Sequence, residues 1–545
     1  MIEQARGGRS GYTQLLAFAL ALLIGGLVSL SLGQDANWDL RNYHIHNAWA
    51  LLNDRMGGDL LTAGIQSYFN PLLDVPYYKI AIDWFPGHPR LVAFLAGLPA
   101  GMLLFFVWLV SNEILRCFDF RRNQIRILSI IVVSMGMTGA ATLSQWGTTF
   151  NEIQIAVLVV AGVYLIVAAI ARSGSGLAWF VAAGVCLGAA AGLKLTAAVY
   201  APGAFLALAL TSGGLKPGVV RAIGFSAGWW IGFLVLYGWW GYHLYALTEN
   251  PVFPMFNALF GSPLIDSGNF TDLRFKPEGF METLFYPFFW LKPESMVVTE
   301  PAFADPRFAL AYLAVLTTLL AYVYRQLRIL PGSPRPFAGA VMPRPVSALA
   351  IWLGVSYVLW QLVFSILRYT IPLEVFTGLV ILVCALLIGR WLNFSGGFLP
   401  TLACLSGAAL LSVAFTQQPQ WGRVNFGRQV IKVENVALPD NSLVIFNERP
   451  LAYLAPFLSR GNPGVSFVGV VHDLSEQKDY PLWQQVRKRI QGQADNLYMV
   501  AHADQALQSN SLSEFGLSVL ESSCAHYRTN VAAPFKICEL QRGVQ

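Results

Sequence analysis

The stretch TQLLAFALALLIGGLVSLSLG, residues 13–33, runs directly into QDANWDLRNYHIHNAWALL, residues 34–52, and this junction decides the fold. The first part carries no charged side chain and is long enough to cross a bilayer core, which takes about 20 mostly apolar residues as a helix. The second part turns at once to acids, cations, histidines and tryptophans, as a chain does on leaving the membrane. Arg6 and Arg9 before the run and Ser29, Ser31 and Gly33 at its end resemble the flanks of a secretory signal. The run is too long for a signal core and many more follow, so it reads as an uncleaved first helix.

Working outward, ten further apolar runs cover residues 91–110, 127–143, 153–170, 177–193, 197–210, 223–242, 308–324, 346–367, 371–388 and 398–415. With the first they predict about eleven transmembrane helices, an all-α polytopic membrane domain over residues 1–415. Composition agrees: 55% of residues are hydrophobic and 12% are charged, about half the charge of an ordinary soluble protein. That excludes a soluble enzyme and a disordered chain, and a net charge of +6 over 545 residues gives no reason to expect a nucleic-acid partner.

Lys and Arg in short loops set orientation. With the N-terminus inside, the cytoplasmic loops hold Arg116, Arg121, Arg122 and Arg126, then Arg172, then Lys216 and Arg221, then Arg325, Arg328, Arg335 and Arg344, then Arg390. The short opposite loops hold only Lys194 and Arg368. Three long segments then lie outside: residues 34–90, residues 243–307 and the tail from 416 onward. In the tail, strand-like runs at 442–446, 465–470, 496–500 and 535–540 alternate with helix-like runs at 450–458, 480–491 and 511–519. Residues 416–545 therefore read as a small α/β soluble domain. Cys524 and Cys538 both fall in it, where an oxidising compartment permits a disulfide. The loop style and the lack of eukaryotic retrieval signals point to a bacterial inner membrane, with the tail periplasmic.

Charges in a membrane domain are costly and mark function. Here they gather at the outer ends of the runs: Asp35, Asp39, Arg41, His44, His46, Asp74, Glu152, Lys194, Arg368 and Glu374, among others. An ion-coupled carrier would place carboxylates near the bilayer midplane. This pattern instead favours a site at the outer boundary, leaving a lipid or solute transporter or flippase as the alternative and a non-catalytic assembly or sensor protein as a third reading. If Asp39 caps a helix starting at Leu40, Tyr43 and His44 stand one turn above it, and Trp38, Ile45, Trp49 and Leu52 form the apolar side of an interfacial helix. An N-cap with membrane-anchoring aromatics explains that segment equally well. On a helix His44 and His46 point apart, which argues against a zinc site. Glu152 suits a helix N-terminus, Lys194 suits snorkelling at an outer turn, and Arg368 precedes Pro372 at another. Each is bland singly; together they set carboxylates and cations at one depth.

Sugar transfer from a lipid phosphate needs such parts: a carboxylate to accept the acceptor's proton, and a cation, or a divalent metal ion held by carboxylates, to balance charge on the departing phosphate. Direct displacement inverts the anomeric centre with one base.

The ordered motifs Trp38-Asp39-Leu40-Arg41-Asn42-Tyr43-His44, Asn151-Glu152, Gly192-Leu193-Lys194, Glu249-Asn250-Pro251-Val252-Phe253-Pro254 and Arg368-Tyr369-Thr370-Ile371-Pro372 make the chain similar to the GT-C superfamily of integral-membrane glycosyltransferases. The resemblance covers most of the chain in layout and only short motifs in detail. It implies a polyprenyl-phosphate sugar donor met within the membrane lipids, and a glycan, lipid or protein acceptor. It implies Asp39 as catalytic base, Glu152 as a second catalytic residue acting on acceptor or metal, and Lys194 and Arg368 on the donor phosphate. Tyr43 and His44 are the neighbouring substrate-binding candidates. The sequence departs from the Asp-Glu pair of many members, since Leu40 follows Asp39; this leaves Asp35 as a rival base. Glu152 follows Asn151 rather than a second acid, so no metal ligand set is assigned.

Overall fold

The computed structural model describes residues 2–172, 175–269, 272–327, 342–392, 397–471, 479–493, 495–505 and 510–542. Arg328 and Arg335 of the orientation argument lie outside them. Among the described residues, six helices are long and apolar enough to cross a membrane: Tyr12–Leu32, Pro89–Leu115, Glu152–Ala171, Leu215–Thr248, Arg307–Leu327 and Arg344–Val363. The pair Leu367–Glu374 and Thr377–Trp391, bent by 45°, makes a seventh if it is one span.

Among the described residues the structure thus has fewer full-length spanning helices than the eleven expected, because some runs break and others are short. Leu177–Leu193 stops at Lys194, which is extended (φ −147°, ψ 109°). The expected span over 127–143 is two pieces, Arg122–Met137 and the short Ala140–Ser144, separated at Gly139. Leu177–Leu193, Leu195–Thr211 and Phe398–Ala414 are apolar but short. A 17-residue helix reaches about 26 Å, less than a bilayer core of about 30 Å.

Glycine stripes hold the helices together. Gly25 on the first helix faces Gly97 and Gly101 on Pro89–Leu115, and a Cβ at Gly97 would lie 2.3 Å from the Gly25 carbonyl oxygen. A second seam joins Leu177–Leu193, through Gly184 and Gly188, to Leu215–Thr248, through Gly228 and Gly232. A Cβ at Gly188 would lie 1.9 Å from the Trp229 carbonyl oxygen, and one at Gly228 would lie 2.1 Å from that of Val181. Between helices in lipid, where apolar burial supplies no drive, such backbone-to-backbone approach is the source of packing energy.

The described residues form eight strands, in chain order: β1 Gln34–Asp35, β2 Arg423–Val424, β3 Leu443–Phe446, β4 Ser466–Gly469, β5 Leu497–His502, β6 Leu517–Val519, β7 Ala525–Tyr527 and β8 Phe535–Arg542. The tail sheet has the order β4-β3-β5-β8-β6, with β7 also on β8. The β3 pairings to β4 and β5 are parallel and those of β8 are antiparallel. The helix expected over 511–519 is corrected: a single turn, Asn510–Ser513, precedes β6. Cys524 and Cys538 are joined by a disulfide.

The tail does not stand apart from the first long loop. Leu40, Ile45, Ala48 and Trp49 share one buried core with Val444, Phe446, Tyr453, Phe467 and Phe535. The interfacial helix expected from Trp38, Ile45, Trp49 and Leu52 is therefore corrected: Ile45 and Trp49 are buried in protein, with the Trp49 ring against Phe467, and only Leu52 is exposed among the four. The pairing of β1 with β2 ties the loop's first residues to the tail's entry.

Candidate functional site

The first-loop helix begins two residues earlier than the sequence suggests. Asn37 Oδ1 accepts the backbone N–H of Leu40 at 2.7 Å, so Asn37 is the cap and Asp39 lies in the first turn with helical dihedrals and no capping bond. This frees the Asp39 carboxylate. The chain continues as a π-helical turn, Leu40–His44, which brings the Tyr43 hydroxyl to 3.1 Å from Asp39 Oδ2, where it donates. Burial, and next the charge of Asp39, push the Tyr43 phenol well above its ordinary pKa, so it stays a donor.

Arg368 reaches the same oxygen from a distant turn: its Nη1 is 3.5 Å from Asp39 Oδ2, and its Nε is 3.5 Å from Glu152 Oε1. Glu152 opens the helix Glu152–Ala171, set there by Asn151 in the left-handed region at φ +70°. Lys194 Nζ donates to Glu152 Oε1 at 2.5 Å and to the Phe150 carbonyl at 3.1 Å. Snorkelling thus does not describe Lys194; it is half of a largely buried ion pair. Aromatic rings wall the cations: Arg368 lies over Phe150, Tyr369 and Trp421 at 5.3, 5.6 and 5.8 Å, and Lys194 over Tyr369 at 5.5 Å. Glu152, Lys194, Arg368 and Tyr369 line a shallow cleft together with Ile155, Tyr200 and Pro372.

Asp35 is held quite differently. Its oxygens accept from the Asn37 backbone N–H at 3.2 Å, from Asn37 Nδ2, and from the backbone N–H and hydroxyl of Thr149, both at 2.9 Å. Such a carboxylate acts as a bracket between the first loop and the Thr149 turn. Asp39, by contrast, has only Tyr43 and Arg368 as partners among the described residues.

His44 does not meet Asp39. Its Nδ1 is 2.6 Å from Asp74 Oδ1, which also accepts from Asn151 Nδ2 at 2.8 Å. His46 faces the other way, its Nδ1 3.1 Å from Asn47 Oδ1, and burial lowers its pKa. Among the described residues there is no group of three or more His, Cys, Asp and Glu side chains placed to hold a metal ion.

The structure therefore brings together Asp39, Tyr43, Glu152, Lys194 and Arg368, and sets His44 and Asp35 in supporting networks alongside. Sequence reasoning gave Asp74 no partner, and it missed Asn37, Phe150, Tyr369 and Trp421 as parts of the site. Asn37 was findable, since Asn caps as well as Asp. Trp421 was not, because its ring meets Phe150 at 5.2 Å across 271 positions. The Asn-Pro-aromatic-Pro segment is used locally: Asn250 Nδ2 donates to the Met255 carbonyl and Asn257 Oδ1, and Phe253 packs on Tyr68. A second buried network, Glu374 and Asp305 on the N–H groups of Ala140, Ala141 and Thr142, with Arg307 paired to Asp305 at 2.8 Å, closes the start of the short helix Ala140–Ser144.

Comparisons of the chain with protein-family models, with curated proteins and with solved structures give no match.

Proposed function

We propose that the chain is a membrane glycosyltransferase that moves a sugar from a polyprenyl-phosphate-linked donor to an acceptor, by inverting displacement. The observation that carries this reading is the placement of Arg368 between two carboxylates, Asp39 and Glu152, at one aromatic-walled cleft. Both contacts are 3.5 Å, loose enough for the guanidinium to exchange a carboxylate for a phosphate oxygen. Asp39 accepts the proton of an acceptor hydroxyl as that oxygen bonds to the anomeric carbon. The carbon–oxygen bond to phosphate breaks, and polyprenyl phosphate leaves with the electron pair. Arg368 and Lys194 balance the charge on that phosphate, and Glu152 holds both cations in register. Tyr43 donates to Asp39 and fixes the orientation of its carboxylate. A divalent metal ion is not needed for the charge balance in this scheme.

The reaction belongs on the side of the membrane that carries the tail. We read this side as periplasmic, in a bacterial inner membrane with the N-terminus cytoplasmic, and the shorter apolar helices as completing about eleven crossings.

The test is transfer of labelled sugar in membranes from a panel of polyprenyl-phosphate donors, with wild type and Asp39→Asn at equal expression. Label with wild type and a loss of about 100-fold or more in Asp39→Asn is expected, since general-base removal costs about 10² to 10⁴. Equal label in both moves the base elsewhere. No label with any donor, from folded protein, overturns the enzyme reading in favour of a lipid or solute transporter.

A further inference from the structure

The long segment between the helices Leu215–Thr248 and Arg307–Leu327 carries an apolar face that no other part covers among the described residues. Its helix Gly279–Phe285 buries no residue, and Phe280, Met281, Leu284 and Phe285 are 75, 68, 40 and 41% exposed. The face continues through Phe289 and Met296, 45 and 58% exposed. The other side of the same segment is pinned: Tyr286 and Trp290 are fully buried in the core formed by the membrane-class helices, and Gln361 Nε2 donates to the Thr283 carbonyl at 2.7 Å. The exposed side chains are therefore held outward by a fixed backbone.

A contiguous set of large apolar side chains on a rigid support marks an interaction surface. Two observations name its occupant. The segment packs on a flanking helix of membrane class, Arg307–Leu327, with the Phe288 ring against Tyr312 at 5.7 Å, and that helix exposes Leu313, Leu316 and Leu320. Glu282, on the same helix, is spent on capping it: its carboxylate accepts the backbone N–H of Glu278 at 2.8 Å. We propose that this face is immersed in lipid, at the acyl and headgroup boundary of the leaflet on the side of the C-terminal domain. The segment is a membrane-embedded apron and not a loop in water. The backbone bond from Leu367 N–H to the Val298 carbonyl, 2.7 Å, joins it to the turn that carries Arg368. Lipid at the apron thus lies against the same wall as the cleft. The inference rests on the membrane class of the helices and is independent of the sugar-transfer reading.

The full-length protein in lipid nanodiscs tests it. A photo-crosslinking benzoylphenylalanine is placed at Phe280, at Phe289, at Leu234 on the membrane helix and at Leu520 in the tail, the last two being 56 and 36% exposed. Lipid adducts at Phe280 and Phe289 within about twofold of Leu234, and at least about tenfold above Leu520, are expected for a face at the acyl boundary. Adducts at the Leu520 level overturn the proposal. Crosslinks to a second copy of the chain in place of lipid overturn it too, and assign the face to self-association.

Discussion

At the scale of the residue, two carboxylates four positions apart have opposite fates, and hydrogen bonding decides which is which. Asp35 is saturated by Asn37 and Thr149, whereas Asp39 is left with a tyrosine and a loosely held arginine. Asp35→Asn therefore costs folding: it turns acceptors facing N–H groups into donors, for about 1–3 kcal/mol per unsatisfied group, read as a lowered melting temperature in detergent. Asp39→Asn is expected to melt within a few degrees of wild type while losing transfer. Reversed outcomes would exchange the two roles. The buried His46 gives a pH prediction. Burial lowers its folded pKa, so the unfolded chain takes up a proton first as pH falls below about 6.5. Its contribution is fully present above that pH and is lost on acidification toward the folded pKa. Melting temperature should fall between pH 7.5 and 5.5, and His46→Gln should flatten that slope. At this scale the sequence showed that Asp39, Glu152, Lys194 and Arg368 were unusual, because charge is scarce in an apolar chain. It did not show that Asn37 takes the cap away from Asp39, since both residue types serve and only the backbone chooses.

At the scale of the element, hydropathy located the helices and many of their ends, but not the breaks within two runs. Runs of apolar residues are continuous in sequence across Gly139 and Val375, where the backbone breaks; composition alone does not register a break tied to a buried carboxylate such as Glu374. The glycine seam between Leu177–Leu193 and Leu215–Thr248 was likewise silent as a pattern until the two helices were seen facing each other. Gly228→Leu should separate them, because its Cβ would meet backbone and not a yielding side chain; a loss of about 3 kcal/mol or more is expected, above the usual range for overpacking. Gly354→Ala, where no atom lies within 4 Å of the added carbon, should raise stability by about 0.5–1 kcal/mol. Thermal aggregation in detergent measures both, and a neutral Gly228→Leu would show that the seam is dispensable.

At the scale of the whole molecule, the tail and the first loop are one body. The sequence suggested a soluble tail from its balanced charge and alternating runs, and the strands fell close to the expected positions. The shared core was not legible, because Trp49 and Phe467 are each plausible in a core of their own and only contact shows they share one. The Cys524–Cys538 disulfide closes a loop of 14 residues at the edge of this body. Its loss in Cys524→Ser with Cys538→Ser should cost about 3 kcal/mol, read as earlier urea unfolding of the tail followed by Trp fluorescence. An unchanged midpoint would mean that the sheet alone sets tail stability.

The two-residue pairing of β1 with β2 has a consequence for biosynthesis. Asp35 is registered opposite Arg423, its partner 388 positions later. At roughly 5–20 residues per second the ribosome takes on the order of 20–80 s to cover that interval. Throughout that time the first loop stands without the strand, the Trp421 ring or the tail core that will close it. A stalled or truncated chain would carry its helices in the membrane and an open, sticky loop beside them, so quality control has a clear mark by which to tell an unfinished copy from a finished one.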